Sequence, residues 1–296
     1  MKPVPFDYVR PGALKEACAI LASDEDAQII AGGQTLVPML AMRLARPRRL
    51  IDVMRLPELA GVADEGETIA IGATTRQVLI ERSELIAAKL PLLAKVMPWV
   101  GHPPTRTRGT IGGSLANADP SAEIPLVAAT LGANIVVAKG DGETLIAAAD
   151  FFMGPMMTAI PPGGVLTRVR FPVWSGGALG VGFHEISARR SDFAFAAAAA
   201  QIRLDEDGRC MAATIGIGGV ADHPTKLKAA SAALVGTRLS DADIRNAVAE
   251  EIEAMEAMSD LHASAAYRRR VAKLLALRAL VDARERARGL LCGKLS

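Results

Sequence analysis

The sequence predicts an α+β protein: two small α/β units in the first 174 residues, followed by a C-terminal third in which a three-stranded antiparallel sheet carries helices. Three observations lead there. The chain has 296 residues, 50% of them hydrophobic, with a mean hydropathy of +0.25, which supplies core for more than one domain. Before residue 174, short apolar segments run into glycine turns or strand ends and then into helical spacing. Beyond Trp174-Ser175-Gly176-Gly177, strand-like segments follow one another through turn-forming loops, as in an antiparallel meander.

The elements follow in order. Leu14, Ala17, Cys18 and Leu21 recur at helical spacing, which places Cys18 in a core. Ala27-Gln28-Ile29-Ile30 reads as a strand ending in Ala31-Gly32-Gly33-Gln34-Thr35, and a helix follows from Leu36 with Pro38 in its first turn. Arg49 to Val53 is a second strand and closes a unit over residues 1–55. Thr68 to Ala73 alternates as a strand, with Thr74-Thr75 placed to cap a helix from Arg76. Ala133 to Ala138 and Leu166 to Phe171 are further strands of a unit over 56–174. In the last part, 175–296, Val181 to Ser187, Ala194 to Leu204 and Arg209 to Gly218 form the meander. Ser240 with Asp243 opens one helix, and Tyr267, Val271, Leu274 and Leu275 mark another.

Composition excludes several classes of function. Lys+Arg 34 against Asp+Glu 32 gives +2, too even for a nucleic-acid footprint or a polybasic membrane surface. Cys18, Cys210 and Cys292 lie far apart with no C-x-x-C, so a disulfide framework is not expected and the four thiolates of an iron–sulfur cluster are lacking. No stretch approaches the ~20 apolar residues of a membrane span, and the N-terminus has no apolar leader; a soluble cytoplasmic protein is expected. His102, His184, His223 and His262 show no metal-binding spacing.

Two segments carry candidate chemistry. Ile30 to Leu36 takes a strand through paired glycines into a helix, a turn whose backbone amides can converge on an anion. Thr110-Ile111-Gly112-Gly113-Ser114 repeats the pairing among hydroxyls, with Asp119 and Glu123 close behind. Neither has the spacing of a Rossmann fingerprint or a P-loop. Two such loops in one chain suggest a dinucleotide held between two units. The bland readings are set beside this: Gly216, Gly218 and Gly219 as a structural turn, Arg268-Arg269-Arg270 as a solvated face or subunit contact, and Met153, Met156 and Met157 as fillers of apolar gaps.

The segments A-G-G-Q-T-L and T-I-G-G-S-L-A-N-A-D-P-S-A-E-I-P resemble the flavin-binding loops of the FAD-containing medium subunit of molybdenum hydroxylases, the carbon monoxide dehydrogenase and xanthine dehydrogenase family. Phe6-Asp7-Tyr8, Gly101-His102, Asp150-Phe151-Phe152, Arg189 to Ala194, Gly216 to Val220 and Tyr267-Arg268-Arg269 extend the resemblance over nearly the whole chain. It implies a two-subdomain FAD-binding fold of the vanillyl-alcohol-oxidase (PCMH) type and a C-terminal α+β domain. It further implies that Ala31, Gly32, Gly33, Gln34, Thr35 and Leu36, with Thr110, Ile111, Gly112, Gly113 and Ser114, wrap the FAD pyrophosphate through backbone amides. Asp119 and Glu123 fall where the family contacts the cofactor's sugar-like hydroxyls. Val100 and Leu166 match positions near the ring system, Phe193 falls where relatives often put an aromatic or apolar residue near the isoalloxazine, and His184 sits near a position that is basic in some relatives. Gln34-Thr35 stands where some relatives have His-Ser, and Asn117 where a histidine is common.

The resemblance implies an electron-transfer subunit with no catalytic side chain of its own. Molybdenum cofactor and [2Fe–2S] centres are expected on partners, a large and a small subunit, in a heterotrimer or its dimer. Two alternatives stand beside this reading: a self-contained flavin oxidoreductase such as the related UDP-N-acetylenolpyruvoylglucosamine reductases, and a non-catalytic assembly subunit.

Overall fold

The computed structural model describes residues 2–292. The first unit runs β1 (Asp7–Val9), α1 (Leu14–Ser23), β2 (Ala27–Ile30), α2 (Leu36–Ala41) and β3 (Arg49–Asp52). Its sheet is parallel, in the order β1-β3-β2. Ala17 and Cys18 of α1 lie in its core, as their spacing predicts, and burial raises the Cys18 thiol pKa. Pro38 falls in the first turn of α2, where its missing N–H costs least. β1 was not expected from the sequence, because three mostly exposed residues carry no alternation.

The second unit contains β4 (Val62–Asp64), β5 (Thr68–Gly72), α3 (Gln77–Glu81), α4 (Glu84–Lys89), α5 (Pro91–Val96), α6 (Pro103–Arg108), α7 (Ile111–Asn117) and α8 (Glu123–Leu131). It continues with β6 (Asn134–Lys139), β7 (Gly142–Ala147), α9 (Ala148–Phe151), β8 (Phe152–Gly154), β9 (Met157–Thr158) and β10 (Val165–Pro172). Five strands form an antiparallel sheet ordered β4-β5-β10-β6-β7. Two expectations change here. Thr74 and Thr75 do not cap α3, whose N-cap is Arg76; their buried hydroxyls donate instead to the carbonyls of Leu59 and Gly61, tying the β5 exit to the preceding loop. Met153, Met156 and Met157 fill no gap: all three are exposed around the short β8–β9 hairpin.

The C-terminal part has β11 (Ala178–Ile186), β12 (Ala196–Leu204), β13 (Cys210–Gly218) and β14 (Thr225–Lys226), then α10 (Lys228–Leu234), α11 (Asp241–Glu253) and α12 (Ala265–Cys292). The expected three-stranded meander gains a two-residue edge strand, β14, too short to show in an alternation pattern. The alanine run of β12 is a strand because both of its faces are covered. Ala197 and Ala199 join Val181, Phe183 and the core of the second unit, whereas Ala196, Ala198 and Ala200 face α12. Small side chains let helices close in on the sheet. A Cβ on Gly180 or Gly182 would collide with the carbonyls of Ala283 and Ala279 in α12, and one on Gly216 with the Thr130 hydroxyl of α8. Gly216 and Gly218 lie in β13 and serve packing, so the turn expected of the three glycines is confined to Gly219, at φ +71°. Trp99 meets Phe183 edge-on at 5.6 Å between ring centres, across the seam between the second unit and this sheet. Ser240 and Asp243 form a capping box at α11.

Arg268 departs from the solvated face expected of the arginine run. It is 3% exposed and donates to the carbonyls of Phe195 and Gly219 at 2.6 and 2.5 Å and to Asp260 at 2.6 Å. One guanidinium thus pins α12 to the start of β12 and the end of β13. Arg268→Ala leaves two carbonyls unpaired and is expected to lower the unfolding free energy by about 2–4 kcal/mol. Arg270→Ala, whose side chain is exposed over Tyr267, should change it by about 0.5 kcal/mol or less. Urea denaturation of the two variants checks this pair.

Candidate functional site

The first glycine loop leaves the end of β2. Gly33 adopts φ +70°, a conformation that costs a side-chain-bearing residue energy, and so aims the chain into α2. Among the described residues, the amides of Gly32, Gly33, Gln34 and Thr35 donate to no protein acceptor; the nearest intraloop bonds are Val37 N to Gly33 O and Gln34 Nε2 to Gly32 O. Gln34 and Thr35 are exposed and Ala31 and Leu36 half-buried, so the run of unused donors faces outward.

The second loop is built differently. The Thr110 hydroxyl accepts from Gly113 N at 3.0 Å and caps α7. Ile111 N and Gly112 N donate to the carbonyls of Thr75 and Ala73 at 3.2 and 2.9 Å. The amides of Ile111, Gly112 and Gly113 are thus bonded inside the protein, unlike those of the first loop. What this loop offers is a surface without side chains at exposed Gly113 and the Ser114 hydroxyl, which has no partner among the described residues. Gly112 is required by packing, since a Cβ there would stand 2.5 Å from that of Ala73.

The structure brings the two loops together. A Cβ on Gly32 would collide with the Arg108 carbonyl oxygen and lie 2.8 Å from the Gly109 Cα. Arg76 ties the same place from the other side: its backbone bridges Thr110, and its guanidinium donates to the Arg108 carbonyl. Gln77 N adds a bond to Gly109 O at 2.9 Å. Sequence reasoning missed Arg76 and Arg108; Arg108, just before the second loop, was a visible signal, whereas Arg76 reaches the loop only through the fold. The result is one cradle with outward-facing donors and no carboxylate in either glycine turn, which fits the diphosphate of a dinucleotide.

The expected acidic contacts lie beyond α7. Asp119 Oδ1 accepts from Ser121 N at 2.9 Å, and burial raises its pKa. Glu123 opens α8; burial, then the neighbouring Glu185, pushes it up to about 8. Glu185, on the face of β11 opposite α12, has both oxygens enclosed without a partner, and burial raises it to about 7. Strand alternation sends the adjacent His184 the other way, where Nε2 meets Asp282 of α12 at 3.1 Å. His184 therefore faces α12, and Glu185 takes the inward position. Val100 and Leu166 are buried in the core of the second unit, and Val100 O accepts from Arg106 Nη1 at 3.2 Å. Phe193 is 68% exposed on the β11–β12 connection.

Comparison with known proteins finds two family models along the chain. A family described as "FAD binding domain in molybdopterin dehydrogenase" matches residues 4–174, and one described as "CO dehydrogenase flavoprotein C-terminal domain" matches 182–283. The chain is 38% identical to the 6-hydroxypseudooxynicotine dehydrogenase complex subunit alpha of Paenarthrobacter nicotinovorans, over 97% of each chain. It is 36% identical to the carbon monoxide dehydrogenase medium chain of Afipia carboxidovorans, over 97% of this chain and 100% of that one. The solved structure of reconstituted CO dehydrogenase from Oligotropha carboxidovorans superposes with a TM-score of 0.93 at 36% identity, covering 97% of this chain and 100% of that one.

The carboxyl group pair makes stability depend on pH. Both groups bind protons more tightly folded than unfolded, so folding is penalised increasingly as pH rises from their ordinary value of 4.5 through about 7 and 8. Facing them are Asp119 and Arg106, and Arg106 is already paired with Glu81 at 2.8 Å. The melting temperature should fall between about pH 5 and pH 8 and level off above, and Glu185→Gln should flatten that fall while raising the value at pH 8. Differential scanning calorimetry across this range checks the sign.

Proposed function

This chain belongs to the family of FAD-binding medium subunits of molybdenum hydroxylases, and on that premise we propose that it passes electrons from [2Fe–2S] centres of a partner subunit through FAD to an external acceptor. The observation that carries the proposal is the junction of the two glycine loops, with unused amides from Gly32 to Thr35 beside the side-chain-free surface at Gly113. Bound FAD supplies the redox chemistry, taking electrons singly or in pairs.

The chain's residues bind and orient. Amides 32–35, with exposed Gln34 and Thr35, donate to the diphosphate, and Ser114 adds a hydroxyl. Asp119 and Glu123 hold the sugar-like hydroxyls; with its pKa pushed to about 8, Glu123 keeps a proton at neutral pH and can donate as well as accept. Phe193 presents an exposed apolar face for the ring system, whereas Val100 and Leu166, buried, shape the wall behind it. No residue is asked to act as acid or base. Cys18, Cys210 and Cys292 are too few and too scattered to ligate a cluster, so the iron–sulfur relay belongs to a small subunit and the molybdenum cofactor to a large one, in a heterotrimer or its dimer. The complex is assigned to the cytoplasm. Among the described residues no helix is long and apolar enough to cross a membrane.

The purified full chain, titrated with FAD, should take up one FAD per chain with flavin absorbance bands. Rapid flavin reduction should appear only when a reduced [2Fe–2S] subunit is added. Absence of saturable FAD binding would overturn the reading, as would turnover of an organic substrate by the isolated chain.

A further inference from the structure

Arg76 sits at the junction of the two glycine loops, half-buried at the N-cap of α3. Its one hydrogen-bond acceptor among the described residues is the Arg108 carbonyl, the oxygen that Gly32 lies against. Arg108 is exposed, and neither guanidinium belongs to an ion pair among the described residues, whereas Arg10, Arg48, Arg49 and Arg106 each hold a carboxylate. Asp52, the acidic group whose charge reaches Arg76, is already bonded to the Tyr8 hydroxyl and to Arg10. Burial, and then the positive charge of Arg108, lowers the Arg76 pKa below the ordinary guanidinium value. Two cations held near each other without counter-charge, at the edge of a row of unused amides, form an anion site rather than a structural salt bridge.

We propose that Arg76 and Arg108 form a two-guanidinium clamp that takes the negative charge of the diphosphate while the amides of the first glycine loop take its oxygens. The inference rests on the FAD reading and adds to it. The second glycine loop cannot donate its amides, because they are bonded to Ala73, Thr75 and Thr110. The charge on that side of the cradle is then left to side chains, and Arg76 and Arg108 are cations at the junction with no ion pair among the described residues. Arg76 acts from a fixed position, because its guanidinium is anchored on the carbonyl that sets the spacing of the loops. Arg108 closes from solvent.

The test measures binding of FAD, ADP and riboflavin to the full chain by isothermal titration at two salt concentrations, for wild type, Arg76→Lys, Arg76→Gln, Arg108→Gln and the double glutamine variant. A charge-assisted hydrogen bond to phosphate is worth about 10- to 100-fold in affinity. The clamp predicts that Arg76→Gln and Arg108→Gln each weaken FAD and ADP by roughly that factor, with Arg76→Lys intermediate and riboflavin binding unchanged. It also predicts that the double variant loses most of the salt dependence. Folded glutamine variants that bind FAD and ADP as tightly as wild type, with the same salt response, would overturn the clamp and leave FAD binding intact. Should Arg76→Gln not fold, Arg108→Gln decides alone, since its side chain is exposed and an unchanged ADP affinity there overturns the clamp. A wild-type chain that binds neither FAD nor ADP defeats the clamp and the electron-transfer reading together.

Discussion

The contact between Gly32 and the Arg108–Gly109 backbone is the constraint on which the rest depends. A backbone carbonyl cannot step aside as a flexible side chain can, so the two α/β units approach this closely only because residue 32 has no Cβ. Everything useful at the site follows from that approach. The first loop can leave its amides unpaired because solvent reaches them, and the second can spend its own because it is fixed on β5 and α3 through Ala73, Thr75 and Arg76. One loop is the donor and the other the frame, a division of labour that a symmetrical reading of two Gly-Gly motifs does not suggest.

The same device recurs away from the site. Gly180 and Gly182 let α12 lie against β11, and the alanines of β12 present two flat faces, one to the second unit and one to α12. Buried apolar area on both faces drives this packing, and Arg268 fixes its register by reaching three strand and loop groups at once. Together these contacts present β11 to α5 with Val181 and Phe183 in the seam and Glu185 at its end. A carboxyl group in that position is costly when charged. Its raised pKa, and that of Glu123 across from it, are the direct expression of the seam being closed.

Much of this was legible in the sequence because it is encoded locally. Strand alternation, the Ser240–Asp243 cap and the buried Cys18 depend on neighbours within a few residues, and the structure places them as read. The family resemblance rested on the same ordered motifs, and similarity over 97% of the chain bears it out. What was not legible depends on contacts far apart in the chain. Arg268 looks like a surface arginine until the ends of β12 and β13 arrive beside it. His184 and Glu185 are adjacent and both polar, and only the side on which α12 packs against β11 decides which one turns inward toward Glu123. Thr74 and Thr75 have the right spacing to cap a helix, yet the loop at Leu59–Gly61 competes for their hydroxyls and wins. Whether a glycine amide is free to bind a ligand likewise depends on where Ala73 and Thr75 fall, which no spacing within residues 110–114 can tell.

The central claim is that the dinucleotide site exists because the glycine loops touch at residue 32. FAD titration of Gly32→Ala, followed by flavin fluorescence with circular dichroism on the same samples, tests it most directly. The account predicts a folded variant whose added methyl group forces the loops apart and weakens FAD binding at least about tenfold, the equivalent of ~1.4 kcal/mol. A folded Gly32→Ala chain that binds FAD with wild-type affinity would contradict it.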